Sequence, residues 1–224
     1  MQKRQRLNDA TSLIDPSLSP GADDDSQRER IVEAMVESCA EKTYSATTIA
    51  DIVKRASISR TTFYKRFENK RACFDATLDS CIAEIQAAAA AAHALSDSPP
   101  EAVRKAVGAA LALMAEKPAL AQLVMSDAIT VEPAILERYR SLLVPALEGL
   151  WDEEDRARQP GGDPSLAFGR AQVLIFNEIA AGRTGRLPEL LPEIVYIALL
   201  PFAGHDEATR QAQLGAGETP TGTR

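Results

Sequence analysis

The sequence predicts an all-α protein, with three helices at the N-terminal end and a larger helical domain after them. Three observations predict this. Aromatic residues make up only 5% of the 224 residues while alanine is abundant, which favours helix over sheet. Apolar residues recur at helical spacing in one segment after another. Residues 48–71, TIADIVKRASISRTTFYKRFENKR, read as two short helices around a tight turn, followed at once by the start of a long helix.

In chain order, residues 1–27 are polar and turn-rich, with Pro16, Pro20, Gly21 and the acidic run Asp23 to Asp25. They are expected to be disordered. Lys3, Arg4 and Arg6 in this tail have the chemistry of a basic arm or of a plain solvated end. A helix is expected from about Gln27 to Glu41, with Ile31, Val32, Met35, Val36 and Cys39 on one face. Tyr44 then covers the edge of a small core. Thr48 caps the next helix and Asp51, three residues on, completes a capping box. Ile49, Ile52 and Val53 are its apolar face, and Ala56 permits a close crossing. After the break at Ala56-Ser57-Ile58, Ser59 caps a third helix. Phe63 and Phe67, four apart, face the core.

Arg60, Thr61, Tyr64 and Lys65 fall on the other side of that third helix. An exposed face of this composition on a short second helix suits the major groove of DNA. The charge agrees. Residues 42–71 carry eight basic and two acidic side chains, whereas 76–224 carry twelve basic and twenty acidic. The formal charge of the whole chain is -7. Phosphate binding depends on the local patch rather than on that sum.

The segment 28–74 resembles the DNA-binding domain of the TetR family of transcriptional regulators. The matching residues are Thr47-Thr48, Asp51-Ile52, Ser59, Thr62-Phe63-Tyr64, Phe67 and Lys70. Two positions depart from the family pattern, which has Gly where this chain has Thr43 and Ser57. At positive φ, Ser57 would carry strain that Gly avoids. The resemblance implies a helix-turn-helix DNA-binding domain at 28–69 and a regulatory and dimerisation domain at 70–205. It implies DNA contacts from Thr48, Arg60, Thr61, Thr62, Tyr64, Lys65 and Lys70, with Tyr64, Lys65 and Lys70 on phosphates and Arg60 and Thr61 towards bases. It also implies a homodimer on a palindromic double-stranded operator.

The fourth helix should run from about Asn69 to Ala94, with Cys73, Phe74, Thr77, Leu78, Cys81, Ile82 and Ile85 inward. It is the expected lever between the two domains. Further helices are expected at 101–116, at 120–125 and from Pro133 to about Glu154, then a loop at 156–164. The helices at 166–181 and 189–202 are apolar on more than one face, which suits contact with a second chain. Phe168, Ala171, Ile175, Leu191, Ile194, Val195 and Ala198 are the expected dimer residues. Residues 206–224 are polar and are expected to be largely disordered.

An apolar cavity in 70–205 is expected to hold a small apolar or amphipathic effector, with Met114, Tyr139, Trp151, Phe176 and Asn177 as its lining. No cofactor is expected. Cys39, Cys73 and Cys81 lack metal-ligand spacing and lie in apolar stripes, and only His93 and His205 offer imidazoles. No convergent acid, base or nucleophile and no glycine-rich phosphate loop points to an enzyme. No apolar run has membrane-span or signal-peptide character, so a cytoplasmic protein is expected. Two regulatory readings remain: a repressor released by its ligand, or a DNA-binding regulator controlled by a protein partner or by abundance.

Overall fold

A computed structural model describes residues 20–148 and 164–218. Among these residues every regular element is helical. The order is α1 (Pro20–Ala46), α2 (Ile49–Arg55), α3 (Arg60–Arg66), α4 (Lys70–His93), α5 (Pro99–Glu116) and α6 (Pro118–Gln122). A π turn, Leu123–Asp127, then leads into α7 (Ala128–Val131) and α8 (Ile135–Glu148). After α9 (Pro164–Ala180) and a 3₁₀ turn, Thr184–Leu190, comes α10 (Leu191–Glu218).

The N-terminal domain forms where the local signals are strongest. Thr48 and Asp51 form the reciprocal capping box at α2, and Ser59 accepts from the Thr62 N–H at α3. Ile31, Met35, Ile52, Phe63 and Phe74 are fully buried and make one small core across α1 to α4. The Tyr44 and Phe74 rings meet at its edge, centroids 4.5 Å apart and planes tilted by 56°. Helix α1 starts at Pro20, earlier than expected, so residues 20–27 are helix and not a disordered tail. Proline fits the first position of a helix, and Arg28 lies 5.7 Å from the Phe67 ring centroid, tying this early stretch to α3. Residues 1–19 lie outside the described part.

Thr43 and Ser57 are the two positive-φ residues other than glycine among the described residues, at 69° and 53°. They are also the two sites where the family pattern has glycine. Thr43, with ψ of 160°, lies in a region that is essentially glycine-only and costs about 1–3 kcal/mol. Glycine gives back roughly 0.5–1 kcal/mol in chain entropy. Thr43→Gly is therefore expected to raise unfolding free energy by about 1 kcal/mol in urea melts, and Ser57→Gly by less. Thr43→Ala should show no such gain. Equal melts for all three would mean the backbone relaxes at no cost.

In the larger domain α5 packs between α4 and α10, and α9 lies against α10. Helix α10 is not straight. Gly204 has φ of 75°. A Cβ built on Gly215 would lie 3.3 Å from the Leu191 side chain, whereas a straight helix would separate these residues by about 36 Å. The chain thus folds back at Gly204 into two arms, 191–203 and 205–218. The second arm was expected to be disordered tail. It is held by buried Ala208 and by Gln211, whose Oε1 accepts from Arg104 Nε at 2.9 Å. Gln211 Nε2 in turn donates to Glu207 at 3.0 Å. By length and composition one segment, Thr184–Gly217, reaches membrane-span character. The fold-back at Gly204 interrupts it, and Leu187, Val195 and Leu199 are buried against the body.

Candidate functional site

The presenting face is α3. Phe63 and Phe67 anchor it, 0% and 6% exposed, with ring centroids 5.9 Å apart. That leaves Arg60, Thr61, Tyr64 and Lys65 exposed, as the spacing requires. Tyr64 is 54% exposed and stands edge-on to Phe63 at 5.5 Å, so its hydroxyl is held out from the domain on a fixed ring. Thr48 and Thr62 have a different local duty. The Thr48 hydroxyl donates to Asp51 at 2.8 Å, and the Thr62 hydroxyl lies 2.9 Å from Ser59 Oγ. Both hydroxyls serve helix caps.

The basic patch is narrower than the charge count implies. Lys42 pairs with Asp51 at 2.7 Å, and Lys42 and Thr48 together hold the Asp51 carboxyl well below the usual carboxylate range. Arg55 pairs with Glu37 and Glu41, and Arg71 with Asp75 and Glu132. The exposed cations that remain on α2 and α3 are Lys54, Arg60 and Lys65.

Lys70 was expected on a phosphate. In the protein alone its ammonium donates to the carbonyls of Tyr44 and Thr47, at 2.9 Å each, and lies 4.2 Å from the Tyr44 ring centroid. It clamps the α1–α2 connection to the start of α4. The same connection is bonded from the other domain. Asp127, 6% exposed, accepts the Tyr44 N–H through Oδ1 at 2.9 Å. Its Oδ2 is buried with no hydrogen-bond partner, and burial raises the carboxyl pKa. Sequence reading missed this residue, which lies 83 positions from its donor, the Tyr44 N–H. Its one signal was an acidic side chain inside an apolar run.

Asp127 closes the π turn, whose Val124 and Met125 line an apolar cavity of about 580 Å³. The cavity lies among α4, α5, α8, α9 and the first arm of α10. Met114 and Tyr139 line it, as expected. The Tyr139 hydroxyl donates to the Val124 carbonyl at 3.1 Å, and burial pushes its pKa well above the ordinary phenol value. Phe176 and Asn177 do not line it: they are exposed on α9. Trp151 lies outside the described residues.

Of the expected dimer residues, Leu191, Ile194, Val195 and Ala198 are buried in the protomer and Phe168, Ala171 and Ile175 are half-buried. Phe168, Ala171, Ile175, Ile194 and Ala198 line the cavity, Val195 is 0% exposed, and Leu191 packs beside Gly108. The apolar exposed positions on these helices are instead Leu166, Val173, Phe176 and Leu200, at 68%, 58%, 39% and 40%. A helix that is apolar all round has one face for its own core and one for something else; periodicity alone does not label which is which. The three cysteines are buried, and burial pushes Cys39 to about 11 and Cys73 and Cys81 to about 12, far from thiolate reactivity.

Residues 31–77 match the family described as bacterial regulatory proteins, tetR family. Comparison with curated protein sequences gives no significant match. Solved structures share the fold. A TetR family transcription regulator from Marinobacter aquaeolei VT8 is 22% identical, with TM-score 0.60, over 87% of this chain and 96% of its own. The fatty acid degradation regulator FadR from Bacillus halodurans is 17% identical, with TM-score 0.63, over 80% and 96%. FadR from Bacillus subtilis, in complex with stearoyl-CoA, is 18% identical, with TM-score 0.50, over 79% and 98%. The chain therefore carries a tetR-type helix-turn-helix segment at residues 31–77 on the all-helical fold of the TetR transcription regulators.

Proposed function

We propose that this protein is a DNA-binding transcriptional regulator of the TetR family, a cytoplasmic homodimer that represses from a near-palindromic operator and is released by a small apolar or amphipathic ligand. The observation that carries the reading is one irregular helix. Residues 118–131 put Val124 and Met125 on the cavity and Asp127 on the Tyr44 N–H, beside the segment that Lys70 holds at the root of α2. A ligand that shifts this helix shifts the base of the DNA-reading domain with it. A dimer reads half-sites about 34–36 Å apart, and small displacements of each reader lose base and phosphate contacts together. Linkage then requires DNA to weaken ligand binding by the same factor that ligand weakens DNA binding. Long hydrocarbon suits such walls; the Bacillus subtilis relative of the same fold was solved with stearoyl-CoA.

Selection from a random duplex pool, followed by anisotropy against single-base variants of the winner, tests the DNA reading. Arg60→Ala should relax preference at one base pair in each half-site by about 1–3 kcal/mol. Recovery of no preferred sequence would end the proposal. An equal loss across all duplexes would move Arg60 to the backbone-positioning contacts.

A further inference from the structure

The cavity wall is chemically uneven in one place. Gln172, on α9, lines it, and the side-chain Nε2 is sealed from solvent with no hydrogen-bond partner. A buried amide donor without an acceptor is unfavourable, and native structures rarely leave one so. The terminal torsion of glutamine is broad and turns at little cost, so a ligand oxygen seated in the cavity is within the reach of that amide. The other polar groups are less suited. The Tyr139 hydroxyl is already given to Val124, and Gln86 and His93 stand exposed on α4. Among the described lining residues there is no Asp, Glu, Lys or Arg. A carboxylate or phosphate seated beside Gln172, away from the exposed Gln86 and His93, would lose its hydration without a countercharge.

We infer, building on the ligand reading above, that the effector is an uncharged, mostly hydrocarbon molecule whose acceptor oxygen is received by the Gln172 amide. An ester, ketone or lactone meets this description; a fatty acid anion does not.

The test uses the full chain, Nile red as the displaced reporter, and three ligands of similar length: methyl laurate, laurate and tridecane. All measurements are made in one buffer at pH 8. Methyl laurate should bind about tenfold tighter than tridecane, through the amide contact, and about a hundredfold tighter than laurate, through the unpaired charge. Gln172→Leu should remove the preference for the ester over the alkane and, by removing an unpaired buried amide, leave alkane affinity and the melting temperature unchanged or higher. Tighter binding of laurate than of its ester, or an ester preference that survives Gln172→Leu, overturns this inference while the ligand reading stands. Failure of all three ligands to displace the dye overturns both.

Discussion

Replacing Lys70 with methionine is expected to cost about 2–4 kcal/mol of stability and to lower the melting temperature by roughly 5–15 °C. Methionine keeps an apolar stem and removes the ammonium. The Thr47 carbonyl then loses its donor, the Tyr44 carbonyl keeps only the Thr47 N–H at 3.3 Å, and the Tyr44 ring loses a cation 4.2 Å from its centroid. The Thr47 carbonyl, left unpaired in a part-buried setting, accounts for most of the loss. Operator affinity should fall too, because the loosened α1–α2 connection no longer fixes α3 against α4. A plain phosphate contact predicts something else: an unchanged melt, equal weakening on specific and random duplexes, and a salt slope smaller by about one phosphate's share. Thermal melts and a salt series on one protein preparation separate the two outcomes.

The contrast at Lys70 marks where sequence stops speaking. The reader domain was legible because its signals are local. A cap and its partner sit three residues apart at Thr48 and Asp51, and two aromatics sit four apart at Phe63 and Phe67. Even the strain at Ser57 follows from one residue type in one turn. What was not legible depends on distant pairs. The Asp127 bond to Tyr44 and the Arg104 bond to Gln211 join residues 83 and 107 positions apart. No periodicity encodes such a pair. The second arm of α10 looked too polar to be ordered, yet Gln211 is 2% exposed because Arg104 and Glu207 meet its amide. The cavity itself was legible as a class of wall, in the alanine, leucine and methionine of several helices. Of its lining, Met114 and Tyr139 were legible too; the α9 residues were not, because inward and outward stripes on α9 are equally apolar: Phe168 and Ile175 face in, whereas Leu166 and Val173 face out.

If the proposed dimer seats on the outward stripe, charging that stripe has the largest expected effect on DNA binding. Leu166→Glu together with Val173→Glu is expected to yield monomers in sedimentation and to weaken operator binding by about 10²–10⁴-fold. Both side chains are more than half exposed in the protomer. Charging them therefore leaves the core intact, and each should change protomer stability by no more than about 0.5 kcal/mol. The buried positions Ile194 and Val195 are unsuitable for this test, since they are 4% and 0% exposed and glutamate there would unfold the domain. Leu166, Val173 and Phe176 recur along one side of α9, and Leu200 is exposed on the adjoining α10; in the proposed dimer this apolar surface is the part left for a second copy. Four glutamates brought together across a two-fold axis repel and must desolvate, which closes off that packing. Once the protomers separate, each half-site is bound without the tether that made the second contact intramolecular, and the operator loses the avidity factor. Binding of a protomer to random duplex should fall far less, because it rests on local phosphate contacts. A dimer that survives the double change in sedimentation would place the interface elsewhere, and an unchanged operator affinity in monomers would mean that each reader works alone.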